Sequence, residues 1–400
     1  MVPLMTIAPI QQTGYDVEVL ESLGDLQAIT SEWQQFLANG VSGSNFFNDP
    51  VHVLARLELE PTLAPWILVV RRDGQICCIA PFFLHASRLK IEFSVIKLAS
   101  LPIRRLTAFG GQFVVADDAD ATRYFDIVFD YLWSQRSRFD LIFLEYLPET
   151  APLWQYYRTV SSRDSRFRFY LASSRVDIVH QIRLPRTYDE FLKTLSYETR
   201  RKLRRYTRRL QNSAQVRLER IEQPDQVPHF LNQLDQIYRD TWQARINGYF
   251  ARNTPEYIQF FSQISRAGLL RSYVLANDEG PIAFALGYQY NGVYYFLETG
   301  YAQAWADFGP GIVLMHLFFE DLSLNERPDL LDFIGGDQPY KQSFSNWQHS
   351  AGSVYVALSN RWRLVLKLQQ LLHFMSRQVV RALIALKLDR PFRKYFVVHH

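Results

Sequence analysis

Cysteine is almost absent: 400 residues hold two, Cys77 and Cys78, side by side in an apolar run. Neighbouring strand residues point to opposite faces, so the pair is poorly placed to bond to each other or to share a metal. Both read as small core residues of a reducing compartment. No stretch of eighteen or more apolar residues occurs, which excludes a membrane-spanning helix. The opening MVPLMTIAPIQQTGYD lacks a basic region, so the cytoplasm is the expected location. No His/Cys/Asp/Glu set has metal-ligand spacing, and no Gly-x-Ser-x-Gly elbow appears, so neither a metal centre nor that serine chemistry is expected.

Apolar residues are plentiful, at 48%, and aromatics reach 15%, enough for a full core and an aromatic-lined groove. The length suits two domains. The net charge of +4 hides an asymmetry: residues 200–209 (RRKLRRYTRR) carry seven cations and no acid, and residues 361–400 carry nine cations against Asp389 alone. The remainder is acidic, so the basicity is local and a DNA-coating surface is not expected.

The order of elements occurs twice. Leu26, Ile29, Trp33, Phe36 and Leu37 recur at helical spacing before Gly40. A hairpin turned at Arg72-Asp73-Gly74 follows, then LTAFGGQFVV as a strand, a helix over Thr122–Trp133 and the buried strand FDLIFLEYLP. In the second half Phe230, Leu234, Ile237, Tyr238 and Trp242 form a helix face, and a helix opens at Thr254-Pro255. A hairpin turns at Asp278-Glu279-Gly280, VYYFLETGY is a strand, Gly311–Leu324 a helix, and PDLLDFIGGD a buried strand. The first half has an extra segment, LKIEFSVIKLASLPIRR, between hairpin and final strand.

Between strand and helix in the second half lies Gly309-Pro310-Gly311, followed by Ile312. Glycines at a helix start let backbone amides approach an anion, and the helix dipole favours negative charge there. The same three residues also serve as ordinary turn chemistry. The matching corner of the first half, Gly110-Gly111, leads through Asp117, Asp118 and Asp120, which suit helix capping and repel phosphate.

This order, the glycine corner, the ending Asp332-Phe-Ile-Gly-Gly-Asp337-Gln-Pro-Tyr340-Lys341 and the basic segment Ser196–Arg205 resemble the GNAT-related acetyltransferases of cellulose and exopolysaccharide biosynthesis, relatives of the Fem-type aminoacyl transferases. The resemblance is good over about 190–345 and architectural over 17–180. It implies an α/β tandem GNAT fold with mixed sheets: a degenerate repeat over 17–180, a repeat with the donor site over 187–358, and a basic helical tail over 359–400. It further implies acetyl-CoA, or another acyl-CoA, as co-substrate, its pantetheine arm lying between splayed strands 293–301 and 330–336. The corner departs from the usual family form, since no basic or amide residue leads it.

Acyl transfer needs a positioned acyl group, a base for the acceptor and stabilisation of the carbonyl oxygen. Glu298, among Tyr294, Tyr295 and Phe296, is the candidate base, or else an edge carboxylate paired with an arginine. Asp337 is the second carboxylate, or a turn cap. Tyr340 is a candidate proton donor to the leaving thiolate, and Lys341 a contact for a phosphate or acidic sugar. His316 reads as a satisfied core residue. Arg201, Arg205 and Arg208 share one helix side and suit an anionic acceptor such as a nucleotide sugar or acidic glycan. In the tail, Leu364, Leu368, Leu371, Leu372, Met375 and Val379 share a face that packs on the body or rests on an anionic membrane. Two rival classes remain: a Fem-like enzyme using charged tRNA, and a non-catalytic glycan-binding or assembly protein.

Overall fold

The computed structural model describes residues 14–385 except Val95, Ala119, Ser174 and 240–250. Trp242 and the tail beyond 385 therefore lie outside the described residues. The chain forms two compact units. One takes residues up to 50, 60–176 and from 350 onward; the other takes 51–59 and 177–349.

In the first unit Tyr15–Leu20 pairs antiparallel with Ala64–Arg72, which pairs with Gln75–Phe93, which pairs with Ile96–Ala108. Ile96–Ala108 then runs parallel to Leu141–Pro148, residues 351–356 pair antiparallel to that strand, and Arg168–Leu171 pairs antiparallel to 354–357. In the second unit Arg217–Ile221, Ser272–Asn277, Gly280–Tyr290 and Val293–Tyr301 pair antiparallel in turn. Val293–Tyr301 runs parallel to Leu330–Asp332, and Asp177–Arg183 closes antiparallel. The two sheets thus have the same plan, as the repeated order of elements predicts.

The turns have local causes. Asp73 and Gly74 both adopt positive φ, as do Asn291 and Gly292, the two-residue geometry that matches strand twist in a hairpin. The extra segment of the first half lengthens one hairpin, formed by Gln75–Phe93 and Ile96–Ala108. The aromatic excess fills both cores: Phe129 stacks on Tyr156 in one, and Tyr273 and Phe296 both stack on Phe318 in the other. Cys77 and Cys78 are buried free thiols, and burial pushes the Cys77 thiol up to about 12. His316 accepts or donates at Tyr188 Oη, consistent with a satisfied ring.

Three expectations change. The strand foreseen over 330–336 stops at Asp332, because Ile334 takes a positive φ and breaks the ladder. Asp120 makes no side-chain cap; Arg72 pairs with Asp118 and Asp120, and Tyr124 donates to Asp118 at 2.6 Å. The boundaries expected at 180 and 358 fall elsewhere, since Asp177–Arg183 completes the second unit's sheet and residues 351–356 the first's.

The helix Pro310–Leu324 carries the glycine corner at one end, and its other end is fixed by the buried Arg271. That guanidinium donates to Asn325 O at 2.7 Å, Tyr273 Oη at 2.8 Å and Gln289 Oε1 at 2.7 Å. A cation at a helix C-terminus satisfies the orphan carbonyls and the dipole together.

The corner of the first unit is filled by its own backbone. Gly111 has φ +64°, and a Cβ there would lie 2.5 Å from Glu145 O and 2.7 Å from Leu147 N. At Gly311 the nearest atom to such a Cβ is Tyr301 Cδ1 at 3.9 Å. Gly111→Ala is expected to lower stability by about 1–3 kcal/mol through a left-handed residue and a backbone clash. Gly311→Ala is expected to stay near wild type. Urea midpoints of the two variants check this, and equal midpoints would refute it.

Candidate active site

Parallel pairing in the second unit lasts for three residues, Val293, Tyr294 and Tyr295 opposite Leu330, Leu331 and Asp332. Beyond them Val293–Tyr301 runs on while the other strand ends at Asp332. A bulge accompanies the parting: Leu286 faces Glu298 and Gly287 faces Phe296, so Leu297 has no partner in the register. Bulges re-aim side chains and free a backbone group from the ladder.

The gap holds a cavity of about 610 Å³, within the range of small-ligand sites. Its wall runs from Phe296 to Tyr301, across Gly309, Pro310, Gly311 and Ile312, to Gly335, Tyr340, Lys341 and Phe344. Gly309 has φ +62°, and no side chain caps the helix that follows. Ile312 N and Val313 N donate back to Gly309 O. The corner therefore offers an uncapped helix N-terminus with Gly311, bare of any side chain, facing the cavity.

Glu298 lines the cavity, and burial pushes its carboxyl up to about 7, against a partial lowering by Lys341. No arginine pairs with it among the described residues. Tyr340 also lines the wall, packs edge-on against Phe296 and Phe333, and is held above the ordinary phenol range by burial and by Glu298. Its hydroxyl therefore stays protonated.

Lys341 is buried, and desolvation brings its ammonium down to about 8. It donates to Phe333 O at 2.8 Å and Gly335 O at 2.5 Å, on either side of Ile334. Asp332 accepts from Ile334 N at 2.6 Å and from Gln181 Nε2 at 2.7 Å. A β-branched residue at φ +52° is disfavoured, and these bonds hold it in place. Lys341 thus acts inside the site, where the sequence pointed to a ligand contact.

Asp337 does not line the cavity. It accepts from Gln342 Nε2 at 2.7 Å and bonds His180 Nε2 at 2.7 Å, so it ties the turn to the closing strand. Arg201, Arg205 and Arg208 are exposed on the helix Tyr197–Ser213, and none lines the cavity. The same helix does meet the corner. A Cβ on Gly309 would lie 2.6 Å from the Tyr206 ring, and Arg209 donates to Asp307 O at 2.9 Å while stacking on Phe308.

Sequence reasoning missed Leu297, Asp332, His180, Gln181 and Tyr301. Gln181 and His180 did leave a signal, two adjacent polar residues inside the apolar run DIVHQIRL. The bulge left none.

Residues 198–342 match the acetyltransferase (GNAT) domain family. The match spans a little over a third of the chain, and this stretch carries the GNAT-like fold. FemX superposes with a TM-score of 0.59 over 84% of this chain and 98% of its own, at 10% identity. A conserved protein of unknown function from Bacteroides thetaiotaomicron superposes at 0.54, over 86% of this chain and all of its own, at 11% identity. At such identities the likeness establishes the fold, and it extends beyond the GNAT domain into the first unit. No curated protein matches the sequence.

The GNAT cavity makes a titration test direct. A carboxyl whose folded pKa lies above its ordinary 4.5 releases its proton first in the unfolded chain. Stability therefore falls as pH rises from about 4.5 to about 7 and is level above that. Carboxyl NMR titration is expected to place Glu298 near 7 and to move it higher in Lys341→Met, which removes the compensating charge. Glu298→Gln should flatten the fall in stability across that window. An unshifted Glu298, titrating with the exposed glutamates, would refute the assignment.

Proposed function

We propose that the chain is an acyl-CoA-dependent acyltransferase, with acetyl-CoA the first donor to test, acting on an amine or hydroxyl of a sugar, nucleotide sugar or cell-envelope precursor. The observation that carries this reading is the uncapped Gly309–Gly311 corner opening into the same cavity as Glu298. Gly309, Ile312 and Val313 donate their amides within the corner, so the Gly311 amide and the positive end of the helix are what it offers a diphosphate. The apolar walls Phe296, Ile312 and Phe344 suit a thin amide-containing arm, and Gly311 leaves room for it.

An acyl thioester supplies an electrophilic carbonyl and a thiolate leaving group. Glu298 takes the proton from the acceptor nitrogen or oxygen as that atom bonds to the carbonyl carbon. The N–H of Leu297, outside the strand register, polarises the carbonyl oxygen. Tyr340 returns a proton to the departing sulfur. Lys341 and Asp332 act on these groups by fixing the turn, and Asp337 fixes it from the other side. On this reading Glu298→Gln lowers turnover by roughly 10²–10⁴-fold.

Thermal unfolding tests the donor. Ligand at a hundred times its Kd adds about 2.7 kcal/mol, so acetyl-CoA is expected to raise Tm by several degrees. Gly311→Val should abolish that rise while leaving the unliganded Tm in place. A rise with charged tRNA and none with acetyl-CoA would overturn the proposal in favour of an aminoacyl transferase. The seven cations of residues 200–209 are the observation that keeps this second reading. Absence of a rise with either would point to a binding protein.

The exposed Arg201, Arg205 and Arg208 serve an anionic acceptor from outside the cavity. Reversing all three to Glu is expected to raise the acceptor KM and flatten its salt dependence, with the donor KM nearly constant. A rise confined to the donor KM would transfer these arginines to the donor phosphates, as the nearness of Tyr206 and Arg209 to the corner would then explain.

A further inference from the structure

The last described element is a helix of 26 residues, Asn360–Ala385, roughly 39 Å long. One side is committed to the first unit. Trp362, Leu366, Gln369 and Ser376 are buried, and Gln369 exchanges hydrogen bonds with the backbone of Glu92, at 3.0 Å and 3.3 Å. The opposite side is bare. Leu364, Leu368, Leu371, Phe374, Met375 and Val379 stand at one helical face, from 71% exposed at Leu364 to 38% at Val379. Single exposed apolar residues are ordinary, but an aligned stripe marks an interaction surface. The sequence grouped Leu364, Leu368, Leu371, Leu372, Met375 and Val379 on one face, against the body or a membrane; Leu372 packs on the first unit's core, and the other five stand exposed with Phe374.

Charge decides between occupants. The helix carries Arg361, Arg363, Lys367, Arg377 and Arg381 and no acid. Arg363 is spent on the carbonyls of Ser165 and Arg166, while Lys367 and Arg381 are exposed at the margin of the stripe. Its inner margin borders a cavity of about 260 Å³ whose wall carries Arg88, Lys90 and Arg105 against Glu92. A second copy of this helix would bring like charges together with no acid to pair them. The hairpin tethered through Glu92 ends in Ile96 and Leu98, also exposed, around Lys97. Among the described residues no helix is long and apolar enough to cross a membrane. An apolar stripe, a cationic margin and a helix too polar around its circumference to span a bilayer together describe one that lies in a lipid interface.

We propose that the first unit docks on an anionic bilayer surface through the stripe Leu364–Val379, with the hairpin tip Ile96 and Leu98 as a second apolar contact. Acidic headgroups meet Lys367 and Arg381 on the helix and Lys97 at the hairpin tip, and the leucines enter the acyl boundary.

Flotation of the full chain with vesicles tests this. Vesicles of phosphatidylcholine with 30% phosphatidylglycerol are expected to carry the protein up. Neutral phosphatidylcholine vesicles should bind on the order of a hundredfold more weakly, given about a fivefold contribution from each of Lys97, Lys367 and Arg381 near the surface. Leu368→Glu/Leu371→Glu should abolish flotation, and Ile96→Glu/Leu98→Glu should reduce it severalfold. Both variants replace exposed residues, so their Tm should match wild type, which separates lost docking from lost folding. Equal flotation with neutral vesicles, or none with either, would overturn the proposal. Sedimentation as a dimer that Leu368→Glu/Leu371→Glu dissociates, without flotation, would assign the stripe to a second copy instead.

Discussion

Three residues of parallel pairing, Val293 to Tyr295 with Leu330 to Asp332, hold the second sheet together where it opens. Had the pairing continued, the strands would have satisfied each other and left no cavity. Ending it exposes backbone groups that must find other partners. The structure supplies them locally: Lys341 takes two carbonyls, Asp332 takes the Ile334 amide, and the bulge at Leu297 leaves one position out of the ladder on the facing strand. The cleft is therefore a consequence of how the ladder is terminated.

The same substitution of partners sets the electrostatics. Enclosing an ammonium in the turn costs desolvation, and carbonyl dipoles and nearby carboxyls offset part of it. Lys341 then lies close enough to temper Glu298, whose carboxyl burial alone would raise further. A base near 7 and a lysine near 8 are thus two readings of one arrangement. The residue that shapes the turn also tunes the candidate base, so neither role can be altered alone.

Much of this was legible in sequence because the signals were local. Turn residues, apolar periodicity and the glycine corner each depend on a few neighbouring positions, and the repeated order gave the plan of both sheets. What stayed hidden depends on partners far along the chain. Asp337 read as a second carboxylate or a turn cap, and nothing around it in the sequence marked its bond to His180, 157 residues away. Lys341 read as a contact for a phosphate or acidic sugar, and the carbonyls of Phe333 and Gly335 explain why it folds inward instead. A bulge has no composition of its own, so Leu297 could not be singled out.

The closing strands show the same limit at the scale of domains. Asp177–Arg183 follows the first half of the sequence but completes the sheet of the second unit, and residues 351–356 follow the second half but complete that of the first. Each half of the sequence therefore lacks the strand that its own parallel pair requires. This matters most at the site, because the strand lent to the second unit carries His180 and Gln181, the partners of Asp337 and Asp332. A boundary placed between the repeats by sequence would remove both anchors from the turn that Lys341 shapes. The duplicated plan accounts for the fold, yet the active half keeps its geometry only with a strand that sequence order assigns to the other.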